Sequence, residues 1–231
     1  MGLELSELRE RIPSDSGEYD VVVAGGGPAG LGAAWAAAQR GAKVLLLESR
    51  SFFGGVAGVA MWMPMNRMLR KGKSRGAVHE AFIGHLDAMG KEHAYSYGIE
   101  NNYAVDGIGI HPDYGRLAAF QLLESVGVHY LLYSQVIDVI IDGKDVRGVV
   151  VMCKDGRKEY RARTVIDCTG DADVAYFAGA PVVKGREEDG MMMPISLIFA
   201  LTNCDPDRAL DLANNRREEL KAIEAEGQRA G

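Results

Sequence analysis

The alternation of apolar and polar positions predicts most of the elements of this chain. Residues 19–24, YDVVVA, form a brief β-branched run, continuously apolar from Val21, as in a strand buried on both faces. The glycine cluster Gly25 to Gly30 interrupts it, and the alanine-rich segment Leu31 to Arg40 predicts a helix ended by Gly41-Ala42. Lys43 to Leu47 then reads as a second buried strand. Ahead of these, residues 1–17 place Leu3, Leu5, Leu8 and Ile12 near helical spacing and break at Pro13, which predicts a short amphipathic lead-in.

Periodicity returns after a variable stretch at about 56–108. Asp113 is placed to cap a helix running to about Val126, and Val128 to Tyr133 gives a strand. Three alternating runs follow, Tyr133 to Ile141, Val146 to Cys153 and Lys158 to Arg163, with Asp142-Gly143 and Asp155-Gly156 between them, which predicts an antiparallel meander. Thr164 to Cys168 is a further apolar strand, and Pro194 to Leu201 another candidate. Asp205 to about Gly227 is a charged helix with an apolar stripe of Leu210, Leu212, Leu220 and Ile223.

Composition narrows the function classes. The 231 residues are 47% apolar and 25% charged, enough to bury a sizeable core. A net charge of −6 argues against a nucleic-acid surface; the basic run Arg67, Arg70, Lys71, Lys73 and Arg75 lacks interleaved aromatics and reads as a solvated face. Three cysteines without a CxxC pair give neither a zinc site nor a disulfide framework, which fits a reducing cytoplasm. The apolar stretch Val21 to Ala38 is preceded by Glu18 and Asp20 and interrupted by five glycines, so it is read as neither a signal sequence nor a membrane span, and no membrane partner is expected. His79, His85, His93, His111 and His129 show no metal-ligand spacing, and His111-Pro112-Asp113 reads as a turn with its cap. No GxSxG elbow supports hydrolase chemistry.

The glycine cluster carries the chemistry. Gly25, Gly27 and Gly30 fit G-x-G-x-x-G between a strand and a helix: the first permits the tight turn, the second lets backbone approach a pyrophosphate, the third lets the helix pack on the sheet. The helix dipole and its free N–H groups then point at the phosphates. Glu48 follows eighteen residues after Gly30, at the tip of the second strand, where it can accept hydrogen bonds from a ribose and repels a 2′-phosphate. NAD and FAD share this fingerprint.

The stretch from Glu48 through Ser49 and Arg50 to Gly54-Gly55 resembles the acid-then-glycine-pair signature of the glutathione-reductase-like FAD-binding fold. TVIDCTGDAD, Thr164 to Asp173, resembles the strand-then-TG element with which such flavoproteins return to the dinucleotide domain after a β-excursion. The order of elements over roughly residues 19–204 is similar to the FAD-dependent oxidoreductase family of that fold. The resemblance implies an α/β chain: a Rossmann-like FAD/NAD(P)-binding domain at 18–180, with a parallel sheet, an insertion at about 56–108 and a three-stranded antiparallel β-meander at about 134–163. Residues 1–17 are then an N-terminal extension and 181–231 a partial substrate or cap domain.

By the same resemblance Gly25, Gly27, Pro28, Ala29 and Gly30 contact the FAD pyrophosphate and Glu48 the adenosine ribose. Ser49 and Arg50 belong to the adenosine side, Gly54 and Gly55 lie close to the cofactor, and Val136 offers backbone groups to the adenine. Thr169, Gly170 and Asp171 close over the cofactor. The implied activity is flavin-mediated hydride transfer on a small-molecule substrate, with catalytic side chains unassigned. Met61, Trp62, Met63 and Met65 read as core or subunit-contact residues rather than a substrate wall, and the absence of cysteine before Cys153 removes a redox disulfide past the glycine pair. An NAD-dependent enzyme using only the first βαβ unit, or a non-catalytic nucleotide-binding module, are the alternatives. Because members of the family run longer, an N-terminal portion or split half is expected, associating with itself or a complementary chain through residues 191–225.

Overall fold

The computed structural model describes residues 17–59, 63–65, 76–90, 95–97, 108–195, 197 and 202–230. The amphipathic lead-in, the basic run and Met61-Trp62 lie outside the described residues, as do the side chains of Met63 and Met65. Two compact units divide the chain, Met1–Ser196 and Leu197–Gly231.

The first unit begins with β1 (Glu18–Ala24), α1 (Pro28–Ala38), β2 (Val44–Leu47) and α2 (Gly55–Val59). It continues with β3 (Met63–Met65), α3 (Ala77–Ala88), β4 (Tyr95–Tyr97), β5 (Ile108–Ile110) and α4 (Pro112–Glu124). β6 (His129–Leu131), β7 (Gln135–Asp142), β8 (Asp145–Cys153), β9 (Gly156–Asp167) and α5 (Asp173–Phe177) complete it. One six-stranded sheet has the order β6-β2-β1-β9-β8-β7. Pairing is parallel from β6 to β9 and antiparallel from β9 to β7. A small antiparallel sheet, β3-β5-β4, lies within the stretch that showed no periodicity, its strands being only three residues each.

Period-two alternation in the central strands decides the layers. Leu45 and Leu47, with Val22 and Ala24, pack against Val149, Val151 and Tyr160 of the meander, all buried. Val44 and Leu46, with Val23, face Leu31 and Ala34 of α1 and Ala119, Leu122 and Leu123 of α4. The parallel strands are therefore covered on both sides, and burial of each such Val or Leu contributes about 1.5–3 kcal/mol. Small side chains on α1 let it lie close to the sheet; Ala34 is fully buried.

The expected α/β architecture with a parallel sheet and three-stranded meander is present, with three differences in detail in the first unit. The predicted strands Lys158–Arg163 and Thr164–Cys168 are one strand, β9, ending at Asp167, because nothing in the sequence between them interrupts an extended backbone. Arg161 is registered with Gly148 of β8 on one edge and with Glu18 of β1 on the other. α1 starts at Pro28 rather than Leu31, since proline is tolerated where its missing N–H would be unpaired. The cap of α4 is His111 rather than Asp113: the His111 ring accepts from the Asp113 N–H at 3.3 Å, and Asp113 lies in the first turn.

In the second unit the single helix predicted from Asp205 is two: α6 (Pro206–Asn215), capped by Asp205, and α7 (Arg217–Ala230). Arg216 leaves the helical region at φ −123° and ψ 43°. The candidate strand Pro194–Leu201 is irregular at 194, 195 and 197, and its other residues lie outside those described.

Candidate cofactor site

The carboxyl ends of β1, β2 and β9 converge, and the loops that leave them hold most of the residues singled out in the sequence. β1 is where the strand order reverses, with β2 on one side and β9 on the other, the place where open α/β sheets form a ligand crevice. The Gly25 N–H donates to Leu47 O at 2.8 Å and the Cys168 N–H to Ala24 O at 2.7 Å, so the three strand ends are locked side by side.

The three motif glycines face different surroundings. A Cβ on Gly30 would lie 1.8 Å from Gly25 O, and one on Gly25 2.3 Å from Cys168 O, so these two positions are closed by the protein's own backbone. Gly27 is different: the nearest atom to a Cβ there would be Gly55 Cα at 3.9 Å. Its backbone, φ −72° and ψ −177°, is one that any residue adopts. Among the described residues the space in front of Gly27 is open. The Leu31 N–H is the first to enter the helical ladder, donating to Gly27 O at 2.9 Å, so the N–H groups of Ala29 and Gly30 precede it at the positive end of α1. Pro28 and Ala29 are exposed on the same turn.

Glu48 is 6% exposed and is already engaged. Its Oε2 accepts from the Gly26 N–H at 2.9 Å, and its Oε1 from the Arg50 N–H at 2.7 Å and the Ser49 hydroxyl at 3.1 Å. A carboxylate accepts about four hydrogen bonds, which leaves capacity for a sugar hydroxyl. The acid therefore ties the glycine turn to the loop after β2, a role its position in sequence did not reveal. Gly54 N–H closes the same loop onto Gly26 O at 2.8 Å, and a Cβ on Gly55 would come 3.0 Å from Gly27 Cα. The glycine pair is in place against the glycine turn.

Val136 belongs to β7, an edge strand, with its side chain buried in the core between the sheet and meander. The residues before it reach Glu48 and Arg50: Ser134 N–H donates to Glu48 O at 2.9 Å and Tyr133 N–H to Arg50 O at 3.1 Å. The main chain leading to Val136 thus borders the β2 loop.

Asp167, unmarked in the sequence reading, organises the third wall. Its Oδ1 accepts from the Thr169 N–H at 3.1 Å and the Thr169 hydroxyl at 2.8 Å, and its Oδ2 from the Ala175 N–H at 2.9 Å. Thr169 Oγ1 in turn accepts from the Asp173 N–H at 2.9 Å. Gly170, at φ 95°, and the exposed Asp171 form the crest of that turn. A short polar side chain two residues before a glycine turn was the available signal. Burial, and then the charge of Asp167, push the Cys168 thiol up, so it stays protonated at neutral pH and is a packing group rather than a nucleophile. Among the described residues no cluster of His, Cys, Asp and Glu could hold a metal ion, and no helix is long and apolar enough to cross a membrane.

The chain is 29% identical over 171 residues to the thiamine thiazole synthase of Aeropyrum pernix, covering 71% of this chain and 53% of that one. It is 31% identical over 179 residues to the thiamine thiazole synthase of Desulfosudis oleivorans, covering 73% and 62%. It therefore spans only about half to three-fifths of the length of these relatives. In fold it is similar to the crystal structure of THI4 from Thermovibrio ammonificans, with a TM-score of 0.52 at 20% identity over 79% of this chain and 70% of that one. A geranylgeranyl bacteriochlorophyll reductase-like protein of Thermoplasma acidophilum gives 0.50 at 22% identity over 71% and 42%. A family model described as FAD dependent oxidoreductase matches residues 20–230, and the chain belongs to that family, whose cofactor is FAD.

Proposed function

We propose that this chain forms the FAD-binding part of an oxidoreductase acting on a small-molecule substrate. The observation that carries the reading is the open space at Gly27, framed by the N–H groups at the start of α1 and by the buried Glu48 carboxylate. The residues fit the cofactor. Gly25, Gly27, Pro28, Ala29 and Gly30 would hold the pyrophosphate, and Glu48, with Ser49 and Arg50, the adenosine side. Gly54 and Gly55 would lie along the cofactor, Val136 would present main-chain groups to the adenine, and Thr169, Gly170 and Asp171 would close over it. When bound, FAD supplies the hydride or electron transfer, and the protein positions it and excludes water. In the same reading the 191–225 region is a contact surface for a second copy or a complementary chain. Met193, Ile195 and Leu197 are 86%, 98% and 86% exposed there.

The test is Gly27→Val. Its backbone accommodates valine and its surroundings leave room, so the variant folds with the melting temperature of the FAD-free parent, while the methyl groups occupy the phosphate space and FAD is lost. Visible absorbance of the purified protein and mass spectrometry of released ligand read the outcome. Undiminished FAD in Gly27→Val would remove the assignment.

A further inference from the structure

Beside the glycine turn the first unit contains a cavity of about 340 Å3 to which none of the groups above gives a use. α1, α2, α3 and α4 all contribute to its wall, with Leu31, Ala57, Val78, Phe82, Ala119 and Leu122 among the lining side chains. Seven of its fifteen lining residues are Gly or Ala, so the space exists because small residues from separate elements face one another. Close packing ordinarily leaves few voids larger than a water molecule, and a cavity of this size reaches the range of ligand pockets, about 300–1,000 Å3.

The lining is selective. Among the described residues that line it there is no Asp, Glu, Lys or Arg, and His79 supplies the only side-chain nitrogens of that set. Arg116, next in sequence to the lining residue Gly115, is committed elsewhere: its Nε donates to Gly58 O at 2.7 Å, its Nη1 to Asp113 at 3.1 Å, and its guanidinium stacks over Phe52 at 4.3 Å. A charged ligand would give up hydration here without finding an opposite charge among the described lining residues. Pro28 and Gly54, which also belong to the glycine turn and the glycine pair, form part of the wall, so the cavity abuts the proposed cofactor site.

We propose that this cavity is the substrate pocket and that it takes a small, uncharged, predominantly apolar organic molecule. The proposal rests on the flavin reading for the word substrate, and on the cavity alone for the ligand class. Titration with 1-aminoanthracene, an uncharged probe that brightens in apolar surroundings, tests it on the purified chain, with FAD content measured on the same samples. The parent binds one probe per chain, and Ala57→Phe and Val78→Phe each weaken binding by about tenfold or more while FAD content and melting temperature stay at the parent's values. The 1-anthracenesulfonate anion binds at least about tenfold more weakly than the amine. The two substitutions lie on different helices, so if one variant fails to fold the other decides. No binding by the parent, undiminished binding by the filled variants, or equal binding of the sulfonate overturns the proposal. No probe binding by a parent that retains FAD counts against the cavity alone; probe binding by a parent without FAD supports the cavity while the flavin reading falls.

Discussion

Two glycines three residues apart in one motif have opposite consequences when replaced. Among the described residues Gly27 faces open space and Gly30 faces the carbonyl of Gly25, so Gly30→Ala is expected to break the turn and lose FAD and stability relative to the FAD-free parent, where Gly27→Val loses FAD and keeps the FAD-free parent's stability. Melting curves and bound-flavin spectra of the two variants side by side distinguish these outcomes. Asp167 makes a second residue-level case. In Asp167→Asn one oxygen still serves Thr169, but the amide nitrogen then meets the Ala175 N–H, donor against donor. Such an unsatisfied group costs about 1–3 kcal/mol, so urea unfolding should show that loss together with weaker FAD retention. The motif glycines and Glu48 were legible in sequence because a glycine turn between a strand and a helix, with an acid at the tip of the next strand, has a fixed spacing. Asp167 and His111 were not, since one side chain bonding the backbone two residues on leaves no periodic trace.

At the level of elements, the two faces of the parallel sheet were legible and the partner of each was not. Alternation marks Leu45 and Leu47 as facing away from Val44 and Leu46; that the meander covers the first pair and helices the second depends on the path of β9. Tyr160 is the largest fully buried side chain in the described residues, 1% exposed, and it fills the space between meander and sheet. Tyr160→Ala is expected to cost about 3–5 kcal/mol, read as a lower urea midpoint. A loss under about 1 kcal/mol would show that the meander packs more loosely than described. The small sheet β3-β5-β4 was missed because three-residue strands are shorter than any window in which alternation can be counted.

For the molecule as a whole, the exposed apolar residues near the end of the first unit and on α6 and α7 suggest association. Leu210 and Ile223 are 59% and 50% exposed, and both belong to the stripe read from the sequence. Serine at Met193, Ile195 and Leu197 together should reduce the sedimentation coefficient at high concentration and leave FAD content unchanged; a parent that sediments as a monomer at every concentration would end that proposal. β9 has a consequence for how the first unit opens. A single strand is a rung of the meander at Gly156 and a neighbour of β1 at Asp167, and it runs directly into the turn held by Asp167. The turn of Thr169, Gly170 and Asp171 therefore has no independent lifetime. Amide hydrogen exchange should find the backbone protons of Val150, Val165 and Cys168 released together in one cooperative opening, at the same rate and with the same urea dependence. Saturating FAD should slow all three equally, including Val150 in the meander, by the factor that the bound state adds to global stability.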